Sequence, residues 1–569
     1  MTKISLWRTG VGILLLIFCY RLWNLGITHH DDAVWFLASH QGHWKIIEDF
    51  AVSQGRIWAF VSGALLYVSL YFHGTVFGDL LRVGSLAVFF VLFYKVAAVY
   101  FGRRLALMAA TFNLALYAMR WEGSIATSYP AFSWILGSFF LCAVWLGWRF
   151  INTGRRIHLY GALAMFFVSL FLHEGAAVLF AVLFLLSIFT NYYLLQSTSR
   201  SVRGFFGAAN SRWLMFGALA VTVSYFALYF GWRIAFPSTY EGNALSQLSV
   251  ERALPVLIGL STSGSILSDI ISPYSVNFSD AVSQDGFRVT YSVLSYIGSS
   301  SSGLLAWLYA LIVLLVVFSI LVTPQNQQEA KPGRIRRKAL AGLVVGGLIT
   351  FLPILPVAFV GKYQQHYYEL GVHSYAYTAL SHFGVTLATA SIAIWFCAFK
   401  REDKVFQNAV SGFVAVSIAV LALCGYRMND AIANDISIET NRWRAVDQAM
   451  SLTSLLGTEL HAIYAPRLRS GSWFTVVDTN YWSQYVATFH QKTLSFYREE
   501  LPEMGSGATK IAYMDFMLAR DGTQMIVLVA PLARAGGHGE VVADRIAVSV
   551  ENPNPSDFHQ FVLSFKDKI

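Results

Sequence analysis

The chain has 569 residues, of which 56% are hydrophobic, 15% aromatic and 13% charged, and its formal net charge is +9. Soluble domains carry about 25% charged residues, whereas apolar runs of about 20 residues mark membrane spans. Such runs recur from Gly10 to Gly425, so an ordinary soluble protein is excluded, and the basic excess belongs to loops between spans rather than to nucleic-acid binding.

The N-terminus carries Lys3 and Arg8 ahead of an apolar run with no small-residue cleavage site, which predicts a retained signal anchor over 8–25. The positive-inside rule holds that start in the cytoplasm and puts His29-His30-Asp31-Asp32, just after the run, on the outer face. Residues 56–72 are apolar but at the lower limit of spanning length. If they crossed, Arg103-Arg104, Arg155-Arg156, Arg334–Lys338 and Lys400-Arg401 would all face outward, so a juxtamembrane helix is expected there. Spans then alternate over 78–100, 105–119, 130–148, 159–172, 176–189, 213–230, 303–322, 343–360, 380–399 and 410–425, about eleven with the first. External loops are expected at 27–77, at 233–302 with short helices, and at 361–377, which is dense in Tyr and His. The tail, 426–569, mixes alternating stretches (473–477, 525–529) with a helical 442–456 and predicts a small α/β domain on the outer face. Cys19, Cys142, Cys397 and Cys424 fall in or beside apolar runs, which argues against a disulfide framework.

This order resembles the GT-C superfamily of membrane glycosyltransferases, which draw sugars from polyprenyl-phosphate donors. The resemblance covers roughly residues 1–190. It rests on the acidic pair Asp31-Asp32 after the first span, a juxtamembrane helix before the second, and Tyr100-Phe101-Gly102-Arg103-Arg104 at the short inner turn. The polar step His173-Glu174-Gly175 completes it. The chain departs from arabinose- and mannose-transferring relatives by lacking a basic residue with Gly-Pro at that step, and by Asp-Asp in place of Asp-Glu. The resemblance implies a GT-C-like polytopic fold in a bacterial inner membrane with its active face in the periplasm. It further implies an inverting transfer of one sugar from an undecaprenyl-phosphate donor to a glycan or lipid acceptor such as O-antigen or lipopolysaccharide.

Such a transfer needs a base for the acceptor hydroxyl and positive charge or hydrogen-bond donors for the leaving phosphate. Asp31 and Asp32 are the candidate base and aligning group, with His30 in support; the alternative is a polar loop that ends the first span. A divalent metal across the pair is an option, with no third ligand evident. For the phosphate the candidates are Arg56, His173, Lys362 and His366, all at outer span ends. Glu122, Glu174, Tyr367 and Tyr368 could support the site; an interfacial anchor (Arg56), a turn pair (His173-Glu174), an exposed carboxylate (Glu122) and an aromatic belt are the competing readings. The tail could bind acceptor glycan through Trp473, Tyr481 and Trp482, or simply cover the site. An O-antigen ligase or polymerase, using Arg252 and Arg288, and a lipid-linked glycan transporter are the rival functions. The transporter would require charges deep within spans, whereas the ionisable residues here cluster at span ends.

Overall fold

The computed structural model describes residues 3–23, 25–27, 30–120, 128–129, 131–191, 209–239, 249–269, 274–278, 287–291, 303–323, 332–369, 377–397, 404–455, 460–465, 468, 479–497, 511–518, 525–535, 538–541 and 547–551. Two compact units emerge. The first holds Met1–Asn24, Trp44–Tyr274 and Ser292–Asn429; the second holds Leu25–His43, Ser275–Tyr291 and Asp430–Ile569.

The first unit is helical. Its helices are α1 (Lys3–Leu22), α3 (Lys45–Ser53), α4 (Ala59–Tyr71), α5 (Val76–Phe101), α6 (Arg103–Ala115), α7 (Phe132–Thr153), α8 (Arg156–Ser169), α9 (Glu174–Asn191), α10 (Ala209–Ala235), α11 (Val250–Thr262), α12 (Leu304–Val322), α13 (Pro332–Phe351), α14 (Gly361–Glu369), α15 (Thr378–Cys397) and the first part of α16 (Lys404–Leu455). α2 (His30–His40) belongs to the second unit. Among the described residues seven helices are long and apolar enough to cross a membrane: α5, α7, α9, α10, α12, α15 and Lys404–Asn434 of α16. The protein is a polytopic α-helical membrane protein. The other four expected spans coincide at least in part with α1, α6, α8 and α13. α4 has 13 residues, about 20 Å of helix, well short of a hydrocarbon core of about 30 Å.

Turn chemistry sets several boundaries. The Thr75 hydroxyl caps α5 by accepting from the Gly78 amide (3.1 Å). Gly102, at φ 91°, ends α5 and lets α6 begin at Arg103, and Gly154, at φ 68°, ends α7 in the left-handed conformation that glycine tolerates. At this end of the helices Arg104 donates to the Leu321 carbonyl (2.5 Å), and the Lys338 ammonium lies 3.2 Å from the place a Gly102 Cβ would take. Three expected boundaries need correction. α6 stops at Ala115, because the following residues join Ser265 and Gly264 through a β-bridge at Tyr117 and an Ala118 amide bond (2.9 Å). The span expected over 343–360 begins earlier, at Pro332, and ends at Phe351, two residues before Pro353, after which a short helical turn, Leu355–Ala358, opens with Pro356 in its first turn. The last span does not end at Gly425: α16 runs on to Leu455, and a Gly425 Cβ would meet Ile266 Cδ1 at 3.0 Å, so the glycine is there for packing.

α6 is buried along its length from Leu105 to Ala115 and packs against α1, α5, α12 and α15. Its Asn113 carbonyl accepts from His382 Nε2 (2.9 Å) one turn inside α15. α13 and α15 approach most closely, since a Gly346 Cβ would meet the Ala388 amide nitrogen at 2.7 Å and the Gly384 carbonyl at 2.8 Å.

In the second unit, β1 (Tyr274–Phe278) and β2 (Phe287–Tyr291) pair as a two-stranded sheet. The tail builds a six-stranded sheet from β3 (Ala462–Tyr464), β4 (Ser495–Tyr497), β5 (Ile511–Leu518), β6 (Met525–Ala535), β7 (His538–Val541) and β8 (Ala547–Glu551). Its order is β4-β3-β5-β6-β7, with β8 pairing β6; β3 is parallel to both neighbours and β5, β6, β7 and β8 pair antiparallel. The helix expected over 442–456 is the last stretch of α16, 525–529 lies in β6, and 473–477 lies outside the described residues. The core gathers Trp443, Val446, Met450, Ile463, Trp482, Tyr485, Phe496 and Met514. Trp482 and Tyr481 come from α17 (Thr479–His490) and are 1% and 6% exposed, which withdraws them as glycan-binding surface; Trp473 lies outside the described residues.

The glycine contact gives a paired test. Gly346→Leu forces α13 from α15 and should cost about 1–3 kcal/mol, read as a lower unfolding midpoint in detergent. Gly347→Leu, where nothing lies within 4 Å of the added Cβ, should leave the midpoint in place.

Candidate functional site

Four ionisable residues of the first unit, Arg56, His173, Glu174 and Arg233, meet at the start of α9. The chain turns between α8 and α9 at Leu170–His173, and Glu174 opens α9, where the helix dipole favours a carboxylate. Four donor-bearing groups converge on that carboxylate. His173 Nε2 lies 3.0 Å from Oε2, Arg56 Nε 3.3 Å from Oε1, and Arg233 Nη1 3.9 Å from Oε1, while the Tyr229 hydroxyl donates to Oε1 (3.2 Å). Arg233 in turn donates to Tyr229 Oη (2.6 Å), an (i, i+4) pair on the last turns of α10. Arg56 also donates to Gln54 Oε1 (2.5 Å) and stands 5.4 Å from the Trp58 ring centre.

His173 lies between two rings, with centroids 5.1 Å from Trp58 and 4.7 Å from Tyr377. Its Nδ1 accepts from the Gly175 amide (3.3 Å), which leaves the proton of the neutral ring on Nε2, 3.0 Å from Glu174 Oε2. Burial pushes the imidazole down from 6.5 to about 4, with Arg56 adding to the fall and Glu174 opposing it. With neutral His173, two arginines and one carboxylate leave the cluster a net charge of one positive unit.

The next layer is aromatic. Burial, then Glu174, hold the Tyr377 phenol well above its usual range, with Arg56 opposing and Tyr363 adding. Tyr363 belongs to α14, with its ring centre 6.0 Å from that of His366. α14 is anchored by Gln364, whose amide donates to the Ser249 and Ala358 carbonyls (both 3.0 Å). Lys362 and His366, four apart, share one face of α14; burial and the Lys362 charge both lower the His366 pKa. Tyr367 packs under Gly259 of α11, and the Arg252 guanidinium stands over the Tyr368 ring at 5.4 Å.

A second feature lies at the other end of α9, the end it shares with the last turn of α5. It is an apolar crevice of about 80 Å³ lined by Phe93, Tyr100, Phe140, Leu183, Val345 and Leu387, among others. From Glu174 to the Leu183–Ser187 level is about 14–20 Å along the helix.

Of the residues singled out from the sequence, Arg56, His173 and Glu174 form one cluster. Lys362, His366, Tyr367 and Tyr368 lie on α14, which faces that cluster through Tyr363. Asp31 and Asp32 belong to the second unit. They occupy the first turn of α2, where a helix N-terminus favours acids; Asp32 is 1% exposed and Asp31 half-buried. α2 is fixed by the core of the tail through Ala33 and Leu37, while Phe36 stacks on Phe489 (5.5 Å) and Gln41 donates to Thr488 (3.1 Å). The tail therefore positions the acidic pair. His30 opens α2, its side chain outside the described residues, and Glu122 also lies outside them. Among the described residues no group of three or more His, Cys, Asp or Glu could hold a metal ion. A divalent ion across Asp31 and Asp32 would draw its remaining ligands from water or substrate.

Sequence reasoning missed Trp58, Tyr229, Arg233 and Tyr377. The Tyr229/Arg233 spacing was a usable signal, because (i, i+4) residues at a span end share one face.

No family model and no curated protein matches the chain. Among solved structures it is similar to ArnT from Cupriavidus metallidurans bound to undecaprenyl phosphate, with 14% identity over 97% of this chain and 100% of that one and a TM-score of 0.33. The apo state of the same protein gives 14% identity over 91% and 94%, with a TM-score of 0.31. The Archaeoglobus fulgidus oligosaccharyltransferase in the apo form gives 12% identity over 86% and 64%, with a TM-score of 0.33.

The low pKa of His173 fixes the sign of a pH effect. The unfolded state takes up its proton near 6.5 and the folded state only near 4, so stability is full above 6.5 and falls as pH drops toward 4. Comparing unfolding midpoints across that window, His173→Gln should flatten the slope relative to the parent chain.

Proposed function

We propose that this protein is a polyprenyl-phosphate-sugar-dependent glycosyltransferase. It moves one sugar with inversion from an undecaprenyl-phosphate donor to a periplasmic glycan or lipid acceptor of the O-antigen or lipopolysaccharide kind. The observation that carries the reading is the convergence of Arg56, Arg233, His173 and Tyr229 on a single anion position at the ends of membrane helices. Charged groups beside hydrocarbon are costly and gather where they bind something.

In the proposed reaction Asp31 or Asp32 removes the acceptor hydroxyl proton as the oxygen attacks the sugar's anomeric carbon. The bond from that carbon to the phosphate oxygen breaks, and its electron pair leaves on polyprenyl phosphate. The donor is a phosphodiester of charge −1. The leaving monoester approaches −2 above its second pKa of about 6. Negative charge therefore grows on the phosphate during the step, where arginines and fixed donors are most effective. Lys362 and His366 extend the donor-phosphate site, and Tyr367 and Tyr368 offer ring faces to sugars. The apolar crevice suits part of the prenyl tail.

The ligase reading would give Arg252 a chemical task, but its guanidinium already stands over the Tyr368 ring in the α11–α14 contact. No observation favours the transporter.

Mass spectrometry of envelope glycans from cells with and without the gene should show one sugar missing. Complementation with Asp31→Asn or Asp32→Asn should restore it about 10²–10⁴-fold more slowly at equal protein level. Normal restoration by both variants would defeat the assignment of the acidic pair. In membranes carrying active enzyme, Arg233→Met should raise the donor concentration needed for half-maximal transfer about tenfold.

A further inference from the structure

Among the described residues, Glu174 is the acid that meets Arg56, Arg233, His173 and Tyr229. Oε1 lies beside Arg56 Nε and Arg233 Nη1 and accepts from the Tyr229 hydroxyl, and Oε2 lies 3.0 Å from His173 Nε2. A carboxylate and a phosphate present similar oxygen acceptors to arginine. The Glu174 side chain is 21% exposed, so it has a way out of the pocket, whereas Arg56 at 10% and His173 at 11% are held between rings and backbone. Arg56 and His173 are therefore the fixed donors, while Glu174 and Arg233, whose side chain is 29% exposed, lie toward the opening.

We infer that Glu174 is an internal placeholder for the ligand phosphate: the donor phosphate displaces it from Arg56 and Arg233, and its return expels the polyprenyl monophosphate product. This deepens the transferase reading and rests on it. With Glu174 in the pocket the cluster carries one net positive charge, and with Glu174 withdrawn the two arginines present two. An emptied pocket thus matches the dianionic product better than the monoanionic donor. An enzyme without a competing carboxylate would be slow to release what it makes. Glu174 weakens both ligands, and the product more, because the extra charge of the monoester gains most from unshielded arginines.

The test titrates undecaprenyl monophosphate against the purified full-length chain in detergent, following intrinsic tryptophan fluorescence. Glu174→Gln keeps the shape and removes the competing charge, and should bind the monophosphate about tenfold more tightly than the parent. Glu174→Asp retains the charge on a shorter arm that reaches the arginines less well. It should also bind more tightly, which preserves the test if the Gln variant folds poorly. A monoanionic undecaprenyl phosphodiester should gain less from either substitution. Turnover by Glu174→Gln should become limited by product release, with kcat falling more than KM rises. Equal or weaker monophosphate binding by both variants would overturn the placeholder role and leave Glu174 as a clasp between α4, α9 and α10. Binding by none of the three proteins would remove the transferase reading as well.

Discussion

An ionised carboxylate beside hydrocarbon must find partners within the protein, and Glu174 finds them on three chain segments. Arg56 comes from the turn before α4, His173 from the turn before α9 itself, and Tyr229 with Arg233 from the end of α10. At an effective dielectric of about 20, each pairing near 4 Å is worth about 4 kcal/mol, against a desolvation cost of several kcal/mol per ion. The sum is close to neutral. Apolar side chains would hold these helix ends together at least as well, so stability alone does not account for the cluster. Its sign, geometry and partial exposure point to anion handling.

The ring frame limits how the cluster can respond. Trp58 and Tyr377 flank the imidazole, and the Gly175 amide occupies Nδ1, so His173 keeps one tautomer and one direction of donation. A Gly175 Cβ would meet the Pro353 carbonyl at 2.7 Å, so the backbone at the start of α9 is also pinned. The Glu174 and Arg233 side chains, 21% and 29% exposed, retain room. A buried Arg56 and a clamped imidazole beside them leave little ordering of those two donors to be done when an anion binds.

Much of this fold was legible because spans announce themselves by length and hydropathy. The reading failed where a local signal was overridden by packing. Gly425 looked like a terminator but sits against Ile266, and the helical pattern after Ala115 lost to backbone pairing with Gly264 and Ser265. α13 was misread in the other direction, because the basic Arg334–Lys338 stretch looked like loop and is helix. Arg56, His173 and Glu174 could be picked out singly as ionisable residues at span ends. Their mutual contact could not, because nothing local ties residue 56 to residue 174. Tyr229 and Arg233 stand at a span end, where those residue types ordinarily serve as interfacial anchors, so only their (i, i+4) spacing sets them apart.

Asp31 and Asp32 present the reverse case. An acidic pair after a span invites a chemical reading, yet the same residues in the first turn of a helix are stabilised by the dipole alone. What separates the two accounts is burial. Dipole stabilisation needs no enclosure and operates at the surface, whereas Asp32 is 1% exposed on a helix anchored by Ala33 and Leu37 in the core of the tail. A short helix carrying only a start signal could have kept both acids in water. Holding Asp32 out of water, by side chains more than four hundred residues further along the chain, is a constraint that helix formation does not require, and it gives the pair the fixed geometry that the proposed general-base role needs.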